Sequence, residues 1–232
     1  MLGRDKSTAP TAGGSRLPGV EEEGTDLQGG GKVPGVCFEK GTRLLDQSRK
    51  EVILRIPIPK TRWQVREFLG AAGFCRIWIP GYSQMAQPLY KLLTRPEENP
   101  LNWTEKQQKA FDELRLAIIS GPALGLPDLA KPFTLYVTEK DKIAMGVLTQ
   151  TVRMWDRPVA YLSRQLDSVA TGWPRCLQAI ATVALLVQEA TKLTLGQDLV
   201  IRVPREVNTL LKGDSPQMAV KLLDYSVSRA VM

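Results

Sequence analysis

The 232-residue chain sets 31 Lys and Arg against 24 Asp and Glu, a formal net charge of +7, and contains no histidine. The missing imidazole excludes a Ser-His-Asp triad, a His-assisted cysteine nucleophile and a Cys/His zinc knuckle, and three scattered cysteines (Cys37, Cys75, Cys176) make neither a disulfide framework nor a metal cluster. With 43% hydrophobic residues the chain can build one or two cored domains, and its basic balance favours a polyanionic partner without specifying one.

Residues 1–36 differ from the rest. Gly13-Gly14, Gly29-Gly30-Gly31, scattered prolines and Glu21-Glu22-Glu23 leave few large apolar side chains, so burial cannot offset the entropy of ordering and a disordered Gly/Pro-rich leader is expected. Pro57-Ile58-Pro59-Lys60-Thr61 predicts an extended approach, because proline holds its predecessor extended. Val65, Phe68, Leu69, Ala72 and Cys75 then recur at helical spacing. Pro80-Gly81 forces a corner, and Met85, Leu89, Leu92 and Leu93 resume the period. Two short helices are expected over 61–95.

The first of these helices carries a stripe of Arg66, Gly70 and Phe74, each four residues from the next. Such a stripe could meet a duplex groove: arginine supplies phosphate or groove hydrogen bonds, glycine lets the backbone approach, and an aromatic ring packs on sugars. An ordinary helical hairpin with Phe74 in its core and Gly70 at a helix–helix contact has the same spacing.

A polar, proline-bounded linker follows from Arg95 to Leu101, within a segment 96–132 that also holds one helix. Thr104-Glu105-Lys106-Gln107 is a capping box that opens this helix, which runs to about Ile119 with Phe111, Leu114 and Ile118 as its buried stripe. After the loop Gly121 to Pro132 come three β-like runs, Phe133 to Val137, Ala144 to Gln150 and Pro158 to Leu162, which predict a hairpin meander. Pro174 to Leu193 is helical, with Leu177, Ile180, Ala181, Ala184, Leu185 and Val187 apolar around much of the circumference, so burial against the sheet is expected. Leu199 to Val203 gives a fourth strand and Glu206 to Leu211 a final helix, broken by Gly213-Asp214-Ser215-Pro216 before a divergent tail, 213–232. The fold class is therefore mixed α/β, of α+β type: a helical hairpin followed by a β-β-β-α-β-α unit over 133–212, the order of the RNase H-like fold. No apolar run reaches the roughly 18 residues of a membrane span, and the N-terminus lacks a secretory apolar core, so an intracellular, soluble chain without a membrane partner is expected.

The run from Gln64 to Gly81 resembles the thumb of gammaretrovirus-type Pol reverse transcriptases, the family that includes endogenous retroviruses. Asn102-Trp103, Gly121 to Asp128, Lys131-Pro132-Phe133, Gly146 to Gln150, Arg157 to Ser163 and Gly172-Trp173-Pro174 follow in the order of that family, so the resemblance covers roughly Phe38 to Leu211. It implies a remnant of palm-closing strands over 37–60, with Gly41, Arg43-Leu44-Leu45 and Arg49-Lys50 resembling that strand pair, then a thumb over 61–95 and a connection domain over 133–212. In the family the first thumb helix follows the minor groove of the template–primer, and Arg66, Gly70 and Phe74 occupy the matching positions, with Arg76 nearby. Trp63 departs from the pattern, standing where the family commonly has a basic or small polar residue, which puts one phosphate contact in question.

Ribonuclease H chemistry needs several carboxylates holding two metal ions about 4 Å apart. At the positions aligned with those carboxylates this chain has Thr138, Cys176 and Pro204-Arg205. Glu139 and Asp141 lie close by, in a charged hairpin that reads as a solvated turn. Polymerisation needs palm carboxylates, and no Asp-Asp pair occurs in the sequence; nor does a Gly-x-x-x-x-Gly-Lys-Ser/Thr loop. The expectation is a retroelement-derived fragment without catalytic residues, metal or cofactor. Its activity would be weak, sequence-independent binding of RNA–DNA or DNA duplex through Arg66, Gly70, Phe74 and Arg76. Two other readings stay open: a protein-interaction module whose apolar surface takes a protein partner, and an RNA-directed DNA polymerase or ribonuclease H completed by another chain.

Overall fold

The computed structural model describes residues 32–94, 101, 103–204 and 221–225. Of the disordered leader expected over 1–36, the part up to residue 31 lies outside those residues, as do most of the linker after Thr94 and the helix expected at 206–211, while the part from residue 32 is described and enters the first strands.

The described chain begins with three short antiparallel strands, β1 (Lys32–Val33), β2 (Val36–Glu39) and β3 (Thr42–Leu45). Their turns use positive φ at Gly35 (85°) and at Lys40 and Gly41 (46° and 73°), where glycine carries no Cβ penalty. The next element corrects the sequence reading. Arg49 and Lys50 lie not on a strand but in a helix, α1 (Gln47–Leu54). Ile53 is its one buried residue, and tertiary ties hold it: Lys50 donates to the Ile119 carbonyl at 3.0 Å, and the Leu54 carbonyl accepts from Arg115.

The two expected helices follow as α2 (Arg62–Phe74) and α3 (Tyr82–Thr94), joined through a 3-10 turn at Arg76–Trp78. Thr61 caps α2 reciprocally with Gln64, satisfying backbone donors that the first helical turn leaves free. The helix buries Val65, Phe68, Leu69 and Ala72. The next helix, α4 (Glu105–Ile119), starts at the expected capping box, with Gln107 accepting from the Thr104 N–H at 3.0 Å. Phe111 packs on Phe68 with ring centroids 4.5 Å apart and meets Trp103 edge-on at 6.0 Å. The loop from Gly121 contains β4 (Leu124–Gly125), which pairs with β3 and closes a four-stranded sheet. Sequence 40 to 80 residues apart is thereby knitted into one core.

The second unit is the expected meander, β5 (Phe133–Lys140), β6 (Ile143–Val152) and β7 (Trp155–Gln165), followed by α5 (Arg175–Thr194) and β8 (Leu199–Pro204). β8 runs parallel to β5. A strand the pattern did not predict, β9 (Lys221–Tyr225), runs parallel to β8 and gives the order β7-β6-β5-β8-β9. α5 packs on β5, β6 and β7 through Thr182, Val183, Leu186 and Ala190. The expected burial against the sheet is thus met on one side, while the other side is open: Ala184 is exposed and Leu177 is 44% exposed. By length and composition alone α5 would pass as a membrane span, which corrects the sequence reading, but its inner side lies against the sheet.

A polar seam joins the two units along β7. The Ser83 N–H donates to the Ser163 hydroxyl at 2.9 Å, the Ser83 hydroxyl to the Ser163 carbonyl at 2.8 Å, and Arg76 to the same carbonyl at 2.8 Å. Arg43 donates to the Val159 carbonyl and lies over the Trp78 ring. Burial lowers the Arg43 pKa from its ordinary value. Ile77 and Tyr161 add apolar contact across the seam.

Candidate nucleic-acid interface

Because α2 buries the side that carries Val65, Phe68, Leu69 and Ala72, its opposite side faces solvent. Arg66, Gly70 and Phe74 all lie there. Arg66 is exposed and makes no ion pair or hydrogen bond among the described residues. A Cβ built on Gly70 would have nothing within 4 Å, whereas one on Gly73 would meet the Tyr82 hydroxyl at 3.7 Å. The Gly70 backbone is thus the bare surface of this helix.

Phe74 is 43% exposed, and its ring is engaged from within the chain. A Cβ on Gly35 would lie 3.1 Å from the ring, the Arg49 guanidinium sits 4.9 Å from its centroid, and Trp78 is 6.4 Å away. Phe74, Gly35 and Arg49 border an open cavity of about 500 Å³ that Val33, Asp46 and Val52 also line.

Arg76 separates from the other three. It lies in the 3-10 turn beyond α2, half-buried, with its guanidinium on Ser163 and 6.0 Å from the Tyr82 ring. Three of the four sequence-predicted residues therefore share one face, while the fourth belongs to the seam. Trp63 was missed as a member of that face. It is 68% exposed and precedes Arg66 by three residues, a spacing visible in the sequence.

Thr138 is exposed near the end of β5, Cys176 is exposed in the first turn of α5, and Pro204 ends β8; Arg205 lies outside the described residues. In the β5–β6 turn Glu139 accepts from the Lys142 N–H at 2.7 Å, so this acid serves the turn. No group of three or more Cys, Asp or Glu side chains is placed to hold a metal among the described residues. The carboxylates shifted from their ordinary values, Asp128, Asp156 and Glu189, serve the fold. Asp156 is held below the usual range by hydrogen bonds from Tyr136 and Thr151. For Glu189, burial acts upward but hydrogen bonds from Lys192 and Arg164 outweigh it, and the net shift is down.

A model of the RNase H-like domain found in reverse transcriptase matches residues 103–201. The chain is 54% identical to the Gag-Pol polyprotein of Koala retrovirus over 178 residues, which is 77% of this chain and 10% of that polyprotein. Against the Gag-Pol polyprotein of Avian reticuloendotheliosis virus it is 55% identical over 179 residues, 77% of this chain and 16% of the relative. The chain therefore spans a small part of the relatives it matches. Among solved structures, the foamy viral protease-reverse transcriptase in complex with dsDNA aligns with a TM-score of 0.73 at 19% identity, covering 87% of this chain and 46% of that one. The same enzyme with an RNA/DNA hybrid aligns at 0.67 and 18%, covering 88% and 30%. The order β7-β6-β5-β8-β9 with α5 across it, together with the match over 103–201, defines an RNase H-like domain of the reverse-transcriptase class. More particularly, the chain belongs to the gammaretrovirus-type Pol family, as a segment of its reverse transcriptase and RNase H region.

Proposed function

We propose that the outer face of α2 binds duplex nucleic acid, RNA–DNA or DNA, without sequence preference, on a scaffold that carries no catalytic carboxylate set. In this reading residues 61–95 serve as a thumb, 37–60 as the remnant of a palm edge and 133–212 as a connection domain. The observation that carries it is Gly70. A glycine in the middle of an exposed helix costs about 1 kcal/mol relative to alanine, and here an added Cβ would meet nothing. The fold gains nothing from leaving that backbone bare; a molecule approaching from outside does. Arg66, one turn away and without an internal partner, supplies a cation for phosphate. Arg76 is left out because its guanidinium already serves the seam.

The test is a fluorescence-anisotropy titration of the full chain with a labelled RNA–DNA hybrid at low and physiological salt, with magnesium present and cleavage followed. Binding that weakens with salt, drops several-fold in Arg66→Glu and leaves the hybrid intact is the expected result. Affinity indifferent to Arg66→Glu, or no binding at low salt, would sink the proposal, and cleavage would restore the enzyme reading. A second reading, a protein-interaction module, draws support from the open side of α5, where Leu177 and Ala184 face outward. A purified chain that sediments as a compact, non-associating monomer counts against it.

A further inference from the structure

The free aromatic ring on the α2 face is not the one the helical stripe singled out. Phe74 has both the Gly35 backbone and the Arg49 guanidinium against its ring. Trp63 has no such company: at 68% exposure it makes no hydrogen bond, ring contact or cation contact among the described residues. Its neighbour Arg62 is turned inward, donating to the Leu93 carbonyl. The spacing 63, 66, 70 follows the helical repeat, so an indole, an unpaired guanidinium and bare backbone lie in a row along one side of α2.

An indole cannot neutralise a phosphate, and a fully paired duplex hides its base faces within the stack. An unpaired base presents a π-face on which an aromatic side chain stacks, with little regard to sequence. We propose that Trp63 is a stacking platform for an unpaired nucleobase, so that this face takes a duplex carrying a single-stranded extension in preference to a blunt one. The inference rests on the nucleic-acid reading above. Charge argues for this occupant over an apolar one: the cation beside the ring is unpaired, and the chain as a whole is +7. A nucleic-acid backbone held at Arg66 and Gly70 would bring a loose base within reach of the ring, one helical turn away.

The experiment compares two labelled probes on the full chain: a blunt RNA–DNA hybrid and the same hybrid with a short single-stranded extension. Wild type is expected to bind the extended probe more tightly. Trp63→Ala should lose roughly tenfold on the extended probe, far more than on the blunt one, and leave the salt slope unchanged. Trp63→Lys should erase the preference while steepening the salt slope by about one. Intrinsic tryptophan fluorescence should be quenched by the extended probe in wild type and much less in Trp63→Phe. Because the ring is exposed, melting curves of all three variants should overlay wild type, which separates lost contact from lost fold. A wild type that binds both probes equally, or a Trp63→Ala chain that keeps the preference, would overturn the stacking role while leaving duplex binding standing. Absence of binding to either probe at low salt would remove both. If Trp63→Ala alters only the sedimentation coefficient, the ring covers a second copy of the chain, and the proposal is wrong.

Discussion

A side chain at position 70 would touch nothing in the protein, whereas one at position 146 would lie 2.9 Å from the Tyr136 carbonyl and 3.1 Å from a methyl of Leu186. The same substitution therefore has opposite signs at the two sites. Gly70→Ala removes backbone freedom from the unfolded chain without a clash and should raise stability by roughly 0.5–1 kcal/mol, while weakening duplex binding if backbone approach is what that glycine serves. Gly146→Ala forces apart β5, β6 and α5 and should cost about 1–3 kcal/mol. Urea unfolding of both variants, with an anisotropy titration of the first, checks the pair. A Gly70→Ala chain that gains stability and binds as before would show that the bare backbone serves nothing. The Arg66, Gly70 and Phe74 stripe was legible in the sequence because it needs only the helical repeat. Arg76 was not. It follows the end of α2, and its direction is set by Ser163, 87 residues away, to which no local pattern points.

Elements separate along the same line. α2, α3, α4 and the strands β5 to β8 announce themselves through capping boxes, period and turn residues, and the structure places them within a few residues of expectation. α1 has no such signal: Val52, Ile53 and Leu54 are consecutive, only Ile53 is buried, and the ties to α4 hold the helix. β4 is two residues long and exists only because β3 offers an edge to it. Within the α2–α3 hairpin, Cys75 is fully buried, and burial pushes its thiol up to about 11 from 9.0, partly offset by Arg49 and Lys50. Tyr82, buried beside it and donating to the Leu69 carbonyl, is also shifted upward, first by burial and then by Tyr90. Both groups are neutral when protonated, and the folded state holds that proton more tightly than the unfolded chain. For Cys75 the contribution is complete below about pH 9 and is lost as pH rises towards 11, whereas for Tyr82 the loss begins only above about pH 10. For Cys75 the rise from 9.0 to about 11 corresponds to about 2–3 kcal/mol. Stability measured by urea unfolding should fall over that window. Cys75→Ala, though less stable at neutral pH through lost packing, should show a shallower fall; an identical slope would mean that the thiol does not titrate with unfolding.

At the scale of the molecule, the matched span 103–201 does not coincide with a packing unit. α4 lies within it, yet Phe111, Leu114 and Ile118 are buried in the core shared with α2 and α3, and β4 pairs with β3. The second core begins with Phe133. The two cores meet along β7, where Ser163 receives Ser83 and Arg76, Val159 receives Arg43, and Ile77 packs into both. Each part-buried hydrogen bond of this kind is worth about 1 kcal/mol net and more where the donor is charged, so the seam supplies a few kcal/mol. That is comparable to the stability of a small unit on its own. Wild type should therefore unfold in one transition, with fluorescence from Trp78 and Trp103 of the first core coinciding with far-ultraviolet dichroism of the whole chain. Removing the seam's charged donors together, as Arg43→Ala with Arg76→Ala, should uncouple the cores so that the two probes no longer coincide in urea. A double variant that still melts as one, merely at lower urea, would mean that apolar contact through Ile77 and Tyr161 suffices to join the cores. In that case the arginines stabilise the halves without linking them.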